Sequence, residues 1–192
     1  MPSFKDLKRK LYNLLPRQRY KHSLSVEKTA QSLARHYKVS KERVRIAALL
    51  HDCSRGMDRT ALLKKAKRLK LKIDPIEEME PKLLHSKISA YIARGSFGIK
   101  DKQILSAIKN HTVGVPSMSI LDKIIYLSDK IEEKRTFAGV KRLRRISYKN
   151  MDHAIVEVAD TVIKHLIDAN LPIYPGTLNT RNYYLMKSYY GK

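Results

Sequence analysis

The chain has 192 residues, 43% of them hydrophobic and 30% charged. That balance excludes a disordered polymer and suffices for one domain with a sizeable core, but is marginal for two. No apolar stretch reaches the roughly 18–20 residues that span a bilayer, and Met1–Asp6 lacks the apolar core of a signal peptide. The 40 Lys and Arg against 18 Asp and Glu give a formal charge of +22, a field that draws polyanions without choosing between nucleic acid, membrane and polyphosphate. The one cysteine, Cys53, excludes an internal disulfide framework and points to a reducing cytoplasm.

Helical periodicity dominates, with no convincing alternation of strand residues. Ser3 caps a first helix with apolar positions Phe4, Leu7, Leu11 and Leu14, ended by Pro16. A second helix is predicted from about Arg17 to Tyr37, where Val26, Ala30, Leu33 and Tyr37 continue a stripe that starts at His22 and so turn His22 inward. Ser40 caps a third helix carrying Val44, Ala47, Ala48 and His51 on one face. After a turn at Ser54–Gly56 a basic helix runs from about Arg59 to Leu71, and Pro75 and Pro81 bracket a short acidic link. His85 opens a helix with Ile88 and Ile92. Asp101 caps the next, where Ile104, Ile108 and His111 share a face. Ser119, with Asp122 three residues on, caps a helix carrying Leu121, Ile124, Ile125 and Asp129. A long helix from about Lys149 to Ala169 closes the bundle. A Pro-Ile-Tyr-Pro-Gly turn and a tyrosine-rich helical end follow. No repeat or linker divides the chain, so one all-α domain over 1–192 is expected, with its core at about 15–170 and a C-terminal turn and helix at 171–192.

Chemistry concentrates in five residues. His22, His51, His85, His111 and Asp129 are separated by 29, 34, 26 and 18 residues, each on or beside an apolar helical face, and Asp52 follows His51 directly. No local metal loop has such spacing, so separate helices must deliver these groups to one point, as helix bundles do at metal sites. Imidazole and carboxylate suit Fe, Mn or Zn, and the lack of further cysteines disfavours a thiolate zinc site. A bound metal lowers the pKa of its water toward roughly 7 and so supplies a nucleophile at neutral pH. His36, His153 and His165 show no such pattern and read as surface or packing residues.

The ordered set His22…His51-Asp52…Asp129 resembles the HD-domain phosphohydrolase superfamily. Segments Arg19–Val26, Ala48–Asp52, His111–Gly114 and Met118–Glu132, the last continuing to Arg135, are similar to the YqeK family over about residues 15–182. The resemblance implies a helical bundle of the HD-domain type. It also implies symmetrical cleavage of a dinucleoside polyphosphate, diadenosine tetraphosphate, into two ADP with bound iron or a related divalent metal such as manganese. His22, His51, Asp52 and Asp129 are then the metal ligands. Asp52, His85, His111 and Arg135 carry the chemistry, with His85 and His111 meeting phosphate or ligating a second metal. The nucleotide contacts implied are Arg19, His22, Asp52, Cys53, Ser54, Arg55, His85, His111, Thr112, Asp129, Arg135 and the turn Ile173, Tyr174, Pro175, Gly176, Thr177. Arg55 replaces the lysine common in the family, and Ser128 replaces the alanine usual before the aspartate.

Several residues admit a plainer reading. Cys53 reads as a small buried residue, with a redox-sensitive thiol near the metal as the alternative. Glu132 reads as exposed or salt-bridged, with a place behind the metal ligands as the alternative. Tyr183, Tyr184, Tyr189 and Tyr190 read as packing for the last helix, with base stacking as the alternative. The basic runs Lys64–Lys70 and Lys141–Arg145 spread over several helical faces without interleaved aromatics, and read as solvated surface. A basic RNA- or ribosome-binding module with a structural metal is the competing function, and a hydrolase of guanosine tetraphosphate or nucleoside monophosphates a third. Non-specific RNA affinity and a homodimer are compatible with this charge; a membrane role is not expected.

Overall fold

The computed structural model describes residues 3–190, and for Tyr190 its backbone only. Eleven α-helices and no strand occur among the described residues: α1 (Phe4–Leu14), α2 (Arg17–His36), α3 (Lys41–Leu50), α4 (Arg59–Arg68), α5 (Pro75–Met79), α6 (His85–Gly95), α7 (Lys102–Asn110), α8 (Ile120–Ile131), α9 (Val140–Lys149), α10 (Met151–Asp168) and α11 (Pro175–Tyr190). A 3-10 turn, Pro81–Leu84, joins α5 to α6. None of these helices is long and apolar enough to cross a membrane.

The start signals behave as their chemistry dictates. Ser3 accepts from Asp6 N and Asp101 from Gln103 N and Ile104 N, while Ser119 and Asp122 form a reciprocal capping box. The predicted boundaries differ in four places. Ser40 stands at the N-cap of α3 but its hydroxyl makes no capping bond. Leu14 is exposed and Leu15 takes the core position, because the helix ends there and the chain turns. The acidic link is itself helical: Asp74 and Glu77 form a reciprocal capping box at the N-terminus of α5, with Pro75 at its first position. The basic run Lys141–Arg145 lies in a separate helix, α9, ahead of the long α10 that Asn150 caps.

α3 is the central element, packed against α1, α2, α6, α7 and α8. Surrounded in this way it can be apolar on every side, and Val44 and Ile46–Leu50 are fully buried. Each such Leu or Ile contributes about 1.5–3 kcal/mol of transfer free energy. The buried Glu27 ties this centre to its neighbours through Lys8 and Arg45, each at 2.9 Å. α9, α10 and α11 pack beyond α8, with Tyr184 of α11 buried and accepting from Met118 N at 2.8 Å. The packing reading thus holds for Tyr184, whereas Tyr189 is 72% exposed. The reading for Tyr190 lies outside the described side chains. His36, His153 and His165 are exposed, as expected.

Candidate active site

Four histidines reach one point from four places. His51 follows the last residue of α3, His111 follows α7, His85 opens α6, and His22 lies in the second turn of α2. The three at helix junctions share one device. Nδ1 of His51 donates to Ala48 O and Nδ1 of His111 to Ile108 O, both at 2.7 Å, and Nδ1 of His85 donates to Lys82 O. A carbonyl only accepts, so the proton sits on Nδ1 and each Nε2 keeps its lone pair. His22 is oriented over a longer range, its Nδ1 donating to Glu132 Oε1 at 3.3 Å.

Two carboxylates receive these rings. Asp52 Oδ1 lies 3.1 Å from His85 Nε2 and 3.5 Å from His111 Nε2. Asp129 Oδ1 lies 3.0 Å from His22 Nε2 and 3.1 Å from Arg135 Nη2. His51 stands between them, its Nε2 3.8 Å from Asp52 Oδ2 and 3.9 Å from Asp129 Oδ1. The site therefore has two ends. At the Asp52 end Thr112 Oγ1 meets His85 and His111 at 3.1 and 3.2 Å. At the Asp129 end stand Arg135 and Lys130, the latter 2.8 Å from Oδ2.

The protonation states follow from burial and contact. Burial pushes the His51 imidazole down to about 4 and also lowers His111, so both stay neutral. Burial would raise Asp52 and Asp129, but the rings of His51, His111 and His85 around Asp52, and Lys130 and His22 beside Asp129, hold both well below the usual carboxylate range. For His22, burial is outweighed by its bond to Asp129 and its value rises.

Neutral imidazoles facing ionised carboxylates are the donor set of a divalent cation. Two observations test the fit. His51 Nε2 is buried without any hydrogen-bond partner, a state that costs about 1–3 kcal/mol unless something fills the gap. The Nε2 atoms of His85 and His111 face each other at 3.1 Å, which requires a proton or a cation between them. The ligand atoms of His22, His51 and Asp129 lie within 4.8 Å of one another, as do those of His51, Asp52 and His111. The cluster fits a divalent metal, with His51 common to both groups.

The structure brings most of the sequence-derived set together. Arg19 lies 3.6 Å from Asp52 Oδ2, and with His22, Lys21, Glu132, Lys134 and Arg135 lines a cleft of about 450 Å³. Arg135 gets there by a fold-back after α8, its Nε also donating to Asp129 O, and not by continuing the helix. Residues 173–177, predicted as a turn, instead lead into the first turn of α11 and pack against the loop after Thr112: Tyr174 and Gly176 share a 300 Å³ hollow with Val113 and Gly114, and Thr177 is buried. Ser54 is buried and donates to His85 O at 2.8 Å, bracing the histidine. Cys53 is buried with its thiol directed at Ser89 O, 3.4 Å away, and burial pushes that thiol up to about 12. Arg55 is half-buried and has no ion pair among the described residues.

Two residues do more than their sequence reading allowed. Glu132 is ion-paired, with His22 at 3.3 Å and Arg135 at 3.8 Å, but it is not exposed. It is 3% exposed and accepts from Ser25 Oγ, Lys134 N at 2.8 Å and His22 Nδ1, orienting the ligand from behind. The available signal was spacing, since Ser25 follows His22 by three residues and Glu132 follows Asp129 by three, so each pair shares a helical face. Arg144, from a run read as solvated, donates to the carbonyls of Ile131, Glu132 and Arg135 at 2.7–2.9 Å and pins the fold-back that carries Arg135.

Fold and site together define a class: helical domains that gather His and Asp from separate helices around a divalent metal. The sequence model of the HD domain matches residues 19–134. A symmetrical bis(5'-nucleosyl)-tetraphosphatase of Halalkalibacterium halodurans is 37% identical over 173 residues, 90% of this chain and 92% of that protein. The enzyme of the same name from Bacillus subtilis is 31% identical over 88% of this chain and 90% of its own. A Clostridium acetobutylicum crystal structure, described as a "predicted HD superfamily hydrolase involved in NAD metabolism", superposes with a TM-score of 0.94 at 35% identity, covering 97% of this chain and 99% of that one. The chain belongs to the YqeK family of HD-domain proteins.

Proposed function

We propose that this protein hydrolyses diadenosine tetraphosphate symmetrically, water adding to one of the two central phosphorus atoms as the central anhydride P–O bond breaks, with two ADP as products. The observation that carries this reading is the convergence of four imidazole Nε2 atoms on Asp52 and Asp129, beside Arg19 and Arg135. The names of its relatives supply the substrate class.

His22, His51, Asp52 and Asp129 would hold the metal, iron in this reading with manganese as its substitute, and the ion would supply Lewis acidity toward water and phosphoryl oxygen. Asp52 Oδ1 and His85 Nε2, at 3.1 Å, form the pair through which the water's proton leaves. Arg19 and Arg135 neutralise charge that develops on the phosphate oxygens. His85, His111 and Thr112 meet phosphate at the Asp52 end, and the 173–177 segment, packed on the loop after Thr112, holds a nucleoside there. The +22 charge speeds capture of a polyanionic substrate. One domain spanning the chain, in a bacterial cytoplasm, suits the bacterial relatives and the single unpaired cysteine.

The test is direct. Protein loaded with iron or manganese should convert diadenosine tetraphosphate to ADP alone, without AMP or ATP. Asp52→Ala and Asp129→Ala should abolish turnover while helical circular dichroism persists. A wild type that binds metal yet leaves dinucleotides intact refutes the reading.

A further inference from the structure

A substrate cut at its centre presents two equivalent halves, so the site needs a nucleoside subsite on each side of the scissile bond. The 173–177 segment serves the Asp52 end. At the Asp129 end, Arg135 borders two spaces at once: the cleft shared with Arg19 and His22, and a separate pocket of about 580 Å³. That volume is ordinary for a small-molecule site. Its walls are apolar, formed by Phe137, Leu143, Val158 and Val162, and Lys130 and Arg135 stand at its rim. Both cations reach Asp129, at 2.8 and 3.1 Å, so they join the pocket to the metal ligands. Phe137 is 37% exposed, an aromatic ring left open beside the charged centre.

Resting on the proposed activity, we infer that this Phe137 pocket is the second nucleoside subsite: it takes the base of the ADP half extending from the Asp129 end. The base stacks on Phe137 over the apolar wall. Lys130 and Arg135 take that half's phosphates. Thr161 and His165, four residues apart on α10, border the pocket and supply hydrogen-bonding groups for the edge of the base. His165 has no hydrogen-bond or ion-pair partner of its own among the described residues and is free to do so. The sequence set His165 aside as a surface residue, and it is exposed; what the fold adds is the pocket beside it.

The chain contains no tryptophan, so Phe137→Trp places a single reporter in the pocket. Titration of the manganese-loaded variant with diadenosine tetraphosphate carrying a methylene bridge at its centre should quench the emission saturably, at the concentration where the analogue inhibits hydrolysis. Separately, Phe137→Ala should raise KM for diadenosine tetraphosphate about tenfold with kcat within threefold, and Phe137→Tyr should behave as wild type. An analogue that inhibits without quenching, or an unchanged KM in Phe137→Ala, overturns the inference while leaving the activity standing. If wild type neither hydrolyses the dinucleotide nor binds the analogue, the proposed activity itself fails and the subsite fails with it.

Discussion

Removing the charge of Glu132 without changing its shape should weaken metal binding by disturbing His22, a residue it touches only from behind. Oε2 accepts from Ser25 and Lys134 N, and Oε1 accepts from His22 Nδ1. Burial opposes the ionised form, but these donors win and hold the group below its ordinary value, so it is charged at neutral pH. An amide in its place has one oxygen only. If its nitrogen faces Lys134 N, two donors collide. If it faces His22, the ring must accept at Nδ1 and carry its proton on Nε2, which removes the lone pair a metal needs. Glu132→Gln should therefore lower manganese affinity about 10–100-fold, roughly 1.4–2.7 kcal/mol. Glu132→Ala also strands the Ser25 and Lys134 donors, and should cost about 2–6 kcal/mol of stability at a net 1–3 kcal/mol for each donor left unpaired. Calorimetric titration of manganese into metal-free protein, with urea unfolding of the same samples, reads both. A manganese Kd within twofold of wild type in both variants refutes the orienting role.

Metal-free protein should be most stable near pH 6.5. The depressed values of His51 and His111 contribute stability that is present above 6.5 and lost as pH falls, about 3 kcal/mol from His51 alone once pH is below 4. The raised value of His22 works the other way, its contribution being full below 6.5 and lost as pH rises through its folded value; urea midpoints from pH 4 to 9 trace the maximum. Cys53 should resist alkylation by iodoacetamide in the native state and react once unfolded, because its thiol is buried and pushed up to about 12; rapid native labelling would contradict this placement. Gly114→Ala should lower Tm by about 6–12 °C. At φ 72° a side chain is strained, and its Cβ would lie 2.6 Å from Thr180 Cγ2, for roughly 3 kcal/mol together. Ser128→Ala should stabilise by about 1 kcal/mol, since the Ser128 hydroxyl is buried without a partner; a loss of stability in denaturant unfolding would show that the hydroxyl is satisfied.

The helices were legible wherever their signals are local. Ser3, Asp101 and Ser119 cap through atoms three or fewer residues away, and the stripes around Val26, Ile104 and Ile124 mark inner faces by period alone. α5 escaped because five residues hold too little periodicity, and α9 because its charged majority masked a stripe formed by Val140 and Leu143. The candidate metal ligands were legible for a different reason: a single histidine beside an apolar run reads as packing, but five such titratable residues in this order rarely do. Behind the ligands the sequence offers only the three-residue spacing of Glu132 from Asp129. Glu132 and Arg144 carry side chains that suit a solvated surface equally well, and only the fold-back after α8 gives each its partners.

Composition, cap chemistry and periodicity thus determined an all-helical chain with His22, His51, Asp52, His85, His111 and Asp129 turned inward, because each of those properties acts over one or two turns. The tautomers, the two ends of the site and the pocket beyond Arg135 were decided only in three dimensions. Hydrogen bonds such as His22 to Glu132 join residues 110 positions apart, and no local pattern encodes which distant donor a buried carboxylate will meet.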